Sequence, residues 1–337
     1  MERFPIIFYM VKDNYMKFKQ EEIKKNTNFV ISSFEEYFKS LNYIEHENVE
    51  MNSKIDDTVY FIGSTISVYK KHIFNNTIPD KGFYLIQRCL RSQNLKILFK
   101  DDIPNWGSYF KAIGTLAPYI RCNEIISEAW YFLNTVLKID KNDIMVRVAS
   151  SDEELLDFWQ TLDNGPIVEV DGQPIEYYKH KYGHKELKGK NLNFALRQGN
   201  SNEFKDIGNL IVIEKDEKKI AMELTFGVST LLCRKFGLIN PIQTSLISTV
   251  IPFKDETIKF SDCICVVVHL LKEGLRPNSS NTRGRVLKQY IRGINIWKEK
   301  LGYTTDEIKE FANKYEYEEY KTVSNIGDEL LKYMEVI

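Results

Sequence analysis

Tyr84-Leu85-Ile86-Gln87-Arg88-Cys89-Leu90-Arg91 is a mostly apolar run that ends on a cation. Its length and its flanking turn residues predict a β-strand. Residues 108–116, Ser-Tyr-Phe-Lys-Ala-Ile-Gly-Thr-Leu, are predicted to be the partner strand. Before this pair, Val30, Phe34, Tyr37, Phe38 and Leu41 recur at helical spacing over 29–41, and Val59-Tyr60-Phe61-Ile62 reads as a strand. After it, a helix is expected over 124–137, with Ile125, Ile126, Ala129, Phe132, Leu133 and Val136 on one side. A strand follows at 145–148 and a short helix at 153–159, introduced by Ser150-Ser151-Asp152 as cap material. Further strands are expected at 210–213 and 220–224, the second running into Gly227 and a helix.

From Ser261 the pattern becomes helical only. One helix, capped by Ser261, runs to about Lys272 and stops at Gly274; others cover 285–300 and 306–315. The fold class is therefore α+β, with an all-helical domain behind it. The expected divisions are an N-terminal extension over 1–28, a mixed domain over 29–240 and a helical domain over 241–337.

The bulk numbers narrow the function classes. The 337 residues are 43% hydrophobic and 28% charged, a globular composition. A net charge of −1 excludes a uniformly basic nucleic-acid coat, though not a local basic face. No stretch approaches ~18 apolar residues, so no membrane span is expected. The apolar run 5–11 lacks a small-residue cleavage site, which argues against a secretory signal. Five cysteines without a framework spacing fit reduced thiols in the cytoplasm.

Metal binding is not expected. Cys263 and Cys265, at i and i+2, face apart on a helix, and His180 and His184 sit at i, i+4 in a Lys/Tyr-rich stretch. There is no Gly-rich Walker loop and no convincing Ser/His/Asp set. Arg283, Arg285, Lys288 and Arg292 form a basic segment with no acid between Asn281 and Arg292.

Five stretches, in order, resemble the class II alanyl-tRNA synthetase family. The run 84–91 is similar to the family's Gln-Lys/Arg-Cys-Val-Arg strand, and 108–114 to its returning Thr-Phe-Phe-Glu-Met-Leu-Gly strand. Residues 147–159 resemble the Val-Tyr-x-x-Asp-Asp-Glu-Ala-x-x-x-Trp segment, and Asp206-Ile207-Gly208-Asn209-Leu210-Ile211-Val212 resembles Glu-Ile-Trp-Asn-Ile-Val-Phe. The stretch from Asp262 through Gly274-Leu275-Arg276-Pro277 to 283–292 is similar to the start of the tRNA-recognition helices. The resemblance covers roughly 29–295. The family's editing and C-terminal oligomerisation domains have no expected counterpart.

The resemblance implies an antiparallel sheet flanked by helices and a ligase that uses ATP, with Mg²⁺, to activate alanine or a related small amino acid. Its acceptor is a tRNA or another acyl carrier, and the state is open between monomer and homodimer. Arg91 becomes the catalytic candidate, because a fixed guanidinium can hold a carboxylate and an α-phosphate together and offset charge building on phosphorus. Lys96, Phe110, Lys111, Gly227 and Arg234 are candidate ATP contacts. Asn209 and Glu223 are candidates for the substrate ammonium, with Gly165 and Trp159 nearby; core packing is the default for Trp159. Asn278, Asn281, Arg283, Arg285, Lys288 and Arg292 are candidate tRNA contacts.

Three departures matter. Thr230 stands where the family has the arginine that stacks on ATP, Lys111 where it has an acid, and Glu223 where it has the shorter Asp. The sequence thus admits an active diverged ligase or a synthetase-like binding protein without activity.

Overall fold

The computed structural model describes residues 20–199 and 201–337. Helix α1 (Gln20–Ser40) leads through the short strand β1 (Ile44–Glu45) and helix α2 (Ile66–Asn75) to strands β2 (Phe83–Leu90) and β3 (Tyr109–Pro118). Next come α3 (Cys122–Tyr131), β4 (Ile144–Val148), α4 (Glu153–Thr161), β5 (Ile167–Val170) and β6 (Lys179–Lys181). Three long strands, β7 (Leu187–Arg197), β8 (Phe204–Lys215) and β9 (Lys218–Gly227), run up and down and end in α5 (Val228–Lys235). From Ile258 onward the regular elements are helices: α6 (Ile258–Lys272), α7 (Thr282–Leu301), α8 (Thr305–Tyr320) and α9 (Ile326–Val336).

The sheet has the order β1-β2-β3-β9-β8-β7-β4-β5, with β6 beside β7. Its centre is antiparallel, and parallel pairs occur only at β1–β2 and β4–β5. This is the expected antiparallel sheet flanked by helices and followed by helices. The β8–β9 turn uses Asp216 and Glu217, both left-handed at φ 49° and 65°. A two-residue turn of that hand matches the twist of the strands it joins.

Strand alternation divides the sheet into two faces. On one, Val30, Phe34 and Phe38 of α1, Ile125 and Ala129 of α3, Trp159 of α4 and Leu231 of α5 pack on Ile113, Phe194, Leu210, Leu224 and Phe226. On the other, Ile66, Tyr69 and Ile73 of α2 cover Leu85, Leu116, Ile211 and Ile213. A third core joins α6–α9 to Leu90, Leu98 and Tyr109 at one end of β2 and β3.

Several expectations change. Residues 59–62 form no strand; Ile62 takes one backbone bond from its N–H to Met51 O and gives its carbonyl to Leu90 N–H, both at 2.8 Å. Ser261 does not cap a helix, because α6 starts at Ile258 and buries Ser261 inside it. Most of the expected 1–28 extension lies outside the described residues, and from Gln20 the chain is already helical. Strand β7 and helix α9 were not anticipated. Among the described residues, no helix is long and apolar enough to cross a membrane.

A buried carboxylate ties the helices to the β2–β3 loop. Asp262 of α6 accepts from Ser108 N–H and Ser108 Oγ, both at 2.6 Å, and from Asn94 Nδ2 at 3.3 Å. Tyr290 of α7 donates to Ser108 Oγ at 2.9 Å, and Trp297 donates to Leu98 O at 3.1 Å. Burial pushes the Asp262 carboxyl up to about 6, against the pull of those donors. Removing this acceptor strands at least two buried donors, each costing about 1–3 kcal/mol. Asp262→Ala is therefore expected to lose about 3 kcal/mol of stability, read as a lower urea midpoint; an unchanged midpoint would contradict the clamp.

Candidate functional site

Arg91 follows β2 directly, so its side chain emerges at the end of the strand. The guanidinium sits 5.0 Å from the centre of the Phe110 ring, and its Nε donates to Gly63 O at 3.0 Å. Phe110 belongs to β3, directly across from Cys89. A methyl group added at Gly227 would lie 3.7 Å from Phe110 Cδ2 and 3.4 Å from Thr230 Oγ1. Arg91, Phe110, Gly227 and Thr230 thus form one corner, with an exposed cation over an aromatic ring and small residues beside it.

Glu223 lies on β9, facing α2. It is 1% exposed. Its Oε1 accepts from Thr65 Oγ1 at 2.6 Å, and the Ile66 N–H also donates to it. Both donors belong to the start of α2, where unpaired backbone N–H groups and the helix dipole favour an anion. Burial still dominates and pushes the carboxyl up to about 7, while the Thr65 and Ile66 donors and the Arg91 and Lys70 charges pull it down. Lys70, one turn along α2, is held by Asp56 Oδ2 at 2.7 Å.

A polar row crosses the strands beside Glu223. Gly114 pairs with Thr225, Thr225 with Asn209, Asn209 with Asn193, and Asn193 with Arg147. Their neighbours Leu192, Phe194, Leu210 and Leu224 enter the opposite core, so this row faces the α2 side. Arg147 closes its far end by ion pairs to Glu169 at 2.9 Å and Asp206 at 2.5 Å. His180 also belongs to this face; burial, with Arg91 and Lys70 nearby, pushes its imidazole down to about 4, so it is neutral.

This geometry coincides with a similarity to known enzymes. Over 153 residues, 43% of this chain, it is 29% identical to an alanine–tRNA ligase of Malacoplasma penetrans. Over 142 residues it is 24% identical to that of a Thermoanaerobacter species. The chain is thus similar to a part of the alanine–tRNA ligases. The matched stretches span only 15% and 16% of those two enzymes. Among solved structures, the Entamoeba histolytica asparaginyl-tRNA synthetase with asparaginyl-adenylate gives a TM-score of 0.44 at 10% identity, covering 70% of this chain and 72% of that one. The Staphylococcus aureus histidyl-tRNA synthetase gives 0.40 at 10%, covering 69% and 73%. No family model matches the chain.

Not every candidate residue reaches the site face. Lys111 alternates with Phe110 on β3 and therefore points to the opposite side, where its ammonium meets Glu319 of α8 at 2.8 Å. The acid missing at 111 thus has no counterpart beside Phe110, and the cation that replaces it serves the junction with α8. Trp159 is buried among Trp130, Phe158 and Phe194 on the α1 side. Gly165 follows Asn164 in the α4–β5 turn, at the far edge of the sheet. Lys96 is exposed on the short turn Ser92–Lys96. Arg234 lies one turn beyond Thr230 on α5, with Nη1 3.5 Å from Ile239 O and a buried Nε that has no partner among the described residues.

The helical candidates separate in the same way. Asn281 caps α7, its Oδ1 accepting from Gly284 N–H at 2.8 Å. The Asn278 side chain is used within its own loop, accepting from Ser280 and Asn281 N–H. Arg283 donates to Tyr60 O and Ser53 O. Arg285, Lys288 and Arg292 remain as a stripe at helical spacing on α7, with Arg285 and Arg292 exposed.

Cys263, Cys265 and His269 are core residues, and both His269 nitrogens meet tyrosine hydroxyls, of Tyr320 at 2.6 Å and Tyr315 at 3.1 Å. Asp56, Asp57 and His184 bring ligand atoms within 4.8 Å of one another, but Lys70 already supplies positive charge to Asp56. Thr65, Thr225, Asn191 and Asn193 are site-face residues that the sequence had not marked, and His180, weighed there only as a metal ligand, joins them.

The raised Glu223 carboxyl has a stability signature. Its folded value lies above its ordinary 4.5, so the native state holds a proton that the unfolded chain releases. Stability is therefore lost as pH rises from 4.5 through about 7. Relative to Glu223→Gln, the native protein is expected to lose roughly 3 kcal/mol between pH 4.5 and 8. Parallel stability–pH curves for the two proteins would show the carboxyl to be unperturbed.

Proposed function

We propose that this chain activates an amino acid with ATP, forming an aminoacyl-adenylate and releasing pyrophosphate, and passes the acyl group to a tRNA or another acceptor. The observation that carries the reading is the placement of Arg91 and Glu223 on one sheet face, close enough for the cation to lower the carboxyl pKa, with Phe110 beside the cation. The reaction needs a carboxylate oxygen to attack the α-phosphorus while pyrophosphate leaves in line. Arg91 is a cation suited to both anions; leaving its stacking on Phe110 for them costs little, because a guanidinium keeps its charge in either place.

Glu223 is the natural partner for the substrate ammonium. Ionised, it makes a charge pair in a desolvated pocket; protonated, it cannot. Phe110, Gly227 and Thr230 offer a flat apolar ring with small neighbours, which suits an adenine. Arg234 is the cation nearest in sequence to replace the arginine absent at 230. Mg²⁺ enters as the partner of the ATP phosphates. The Arg285, Lys288 and Arg292 stripe is the surface for an acceptor phosphate backbone. Substrate choice within the small amino acids and the acceptor belong to this proposal.

A second reading has its own observation. Thr230 leaves the Phe110 corner without the arginine that grips ATP in the family, which suits a synthetase-like binding protein that no longer activates. ATP–pyrophosphate exchange across an amino-acid panel separates the two. Exchange with at least one amino acid is expected, reduced about 100-fold or more in Arg91→Ala. A well-folded protein that exchanges with none would leave the binding reading standing.

A further inference from the structure

Arg91 and Glu223 serve groups that every α-amino acid shares. The remaining face holds side chains without such a task. Strand β7 places Asn191 and Asn193 two residues apart on it, 6% and 7% exposed. Asn191 Nδ2 donates to Tyr177 O at 3.0 Å, which leaves its Oδ1 buried with no partner among the described residues. Asn193 Nδ2 is buried and unpartnered as well, and so is the Tyr182 hydroxyl. Buried amides normally find partners, so this clustering of orphan atoms on one face points to a ligand.

The surroundings narrow the ligand's chemistry. The cation nearest Asn193 in the sheet, Arg147, is already matched by Glu169 and Asp206, and Tyr177 closes the set by donating to Asp206 at 2.7 Å. Among the described residues the set holds two carboxylates to one cation, so no cation is left free there for an acidic side chain. What is left is an acceptor from Asn191 and a donor from Asn193. A carboxamide offers the complementary pair, one donor and one acceptor on the same group. Strand β7 is two strands from β9, about 10 Å at normal sheet spacing. Ile211 of β8 fills the line from Glu223 to Asn191, while the half-buried Thr225 and Asn209 lead from beside Glu223 to Asn193, farther than the methyl group of alanine would reach.

From these two orphan amides we infer that this face selects an amino acid with a carboxamide side chain, asparagine or glutamine, over alanine. The inference rests on the activation reading of the same site. It makes Asn191 and Asn193 specificity residues and explains why polar side chains, costly without partners, line the floor of this face.

Calorimetric titration of the full chain with asparagine, glutamine, aspartate, serine and alanine, with and without a non-hydrolysable ATP analogue, reads selection without turnover. Asparagine or glutamine is expected to bind at least about tenfold tighter than the other three. Asn193→Asp, nearly isosteric, replaces the donor by an acceptor and should narrow that gap; its folding is checked by thermal melting. Tightest binding of alanine, serine or aspartate would overturn this inference and leave activation intact. Binding of none of the five would overturn activation, and this inference with it.

Discussion

The buried carboxylate of Glu223 is the constraint around which the site face is organised. An acid taken out of water must find donors, and this one finds them at the start of α2, in the Thr65 hydroxyl and the Ile66 N–H. That requirement fixes where α2 begins on the sheet. The helix then covers the Leu85, Leu116 and Ile213 end, and its capping Thr65 reaches Thr225 at 3.4 Å, where the row through Asn209 to Asn193 begins. The same carboxylate is brought onto the face that carries Arg91. Asp262 does a related task at another junction, holding the β2–β3 loop against the C-terminal helices. In both cases burial raises the carboxyl pKa, and donors from a neighbouring element restrain the rise.

Strand alternation decides which candidates can act together. Phe110 and Lys111 are adjacent in sequence and on opposite sides of the sheet, so only Phe110 can share a ligand with Arg91. Lys111 instead joins Arg88, Tyr109 and Tyr320 at the helical junction, where Glu319 neutralises it. Trp159 is excluded in the same way, because α4 packs on the α1 side. A charge that looked like a lost ATP contact is thus part of the architecture that holds α8 to the sheet.

Much of the fold was legible because its signals are local. The apolar run 84–90, the partner at 109–118 and the helical spacing of Val30, Phe34 and Phe38 each declare their element without reference to anything distant. Strand β7 was missed because its site face carries Gly189, Asn191 and Asn193, which are poor strand formers. The alternation of Leu192, Phe194 and Leu196 between them was the available signal. Residues 59–62 misled in the opposite sense: Phe61 and Ile62 are buried in a loop, and Ile62 touches the sheet by a single bond to Leu90. Arg91 and Glu223 were visible only through the family pattern, since nothing local distinguishes them from surface charges. Their convergence depends on the β2-β3-β9 order, which is a long-range property.

The account places the shared groups of an aminoacyl-adenylate between Arg91 and Glu223, with the adenine toward Phe110. A crystal structure of the chain with a non-hydrolysable aminoacyl-sulfamoyl-adenosine tests this most directly. The account requires the Arg91 guanidinium within hydrogen-bond distance of the sulfamoyl group, the ligand ammonium on Glu223 and the base at Phe110. A ligand bound with its ammonium elsewhere, or with Arg91 still directed at Gly63 and away from it, would contradict the assignment.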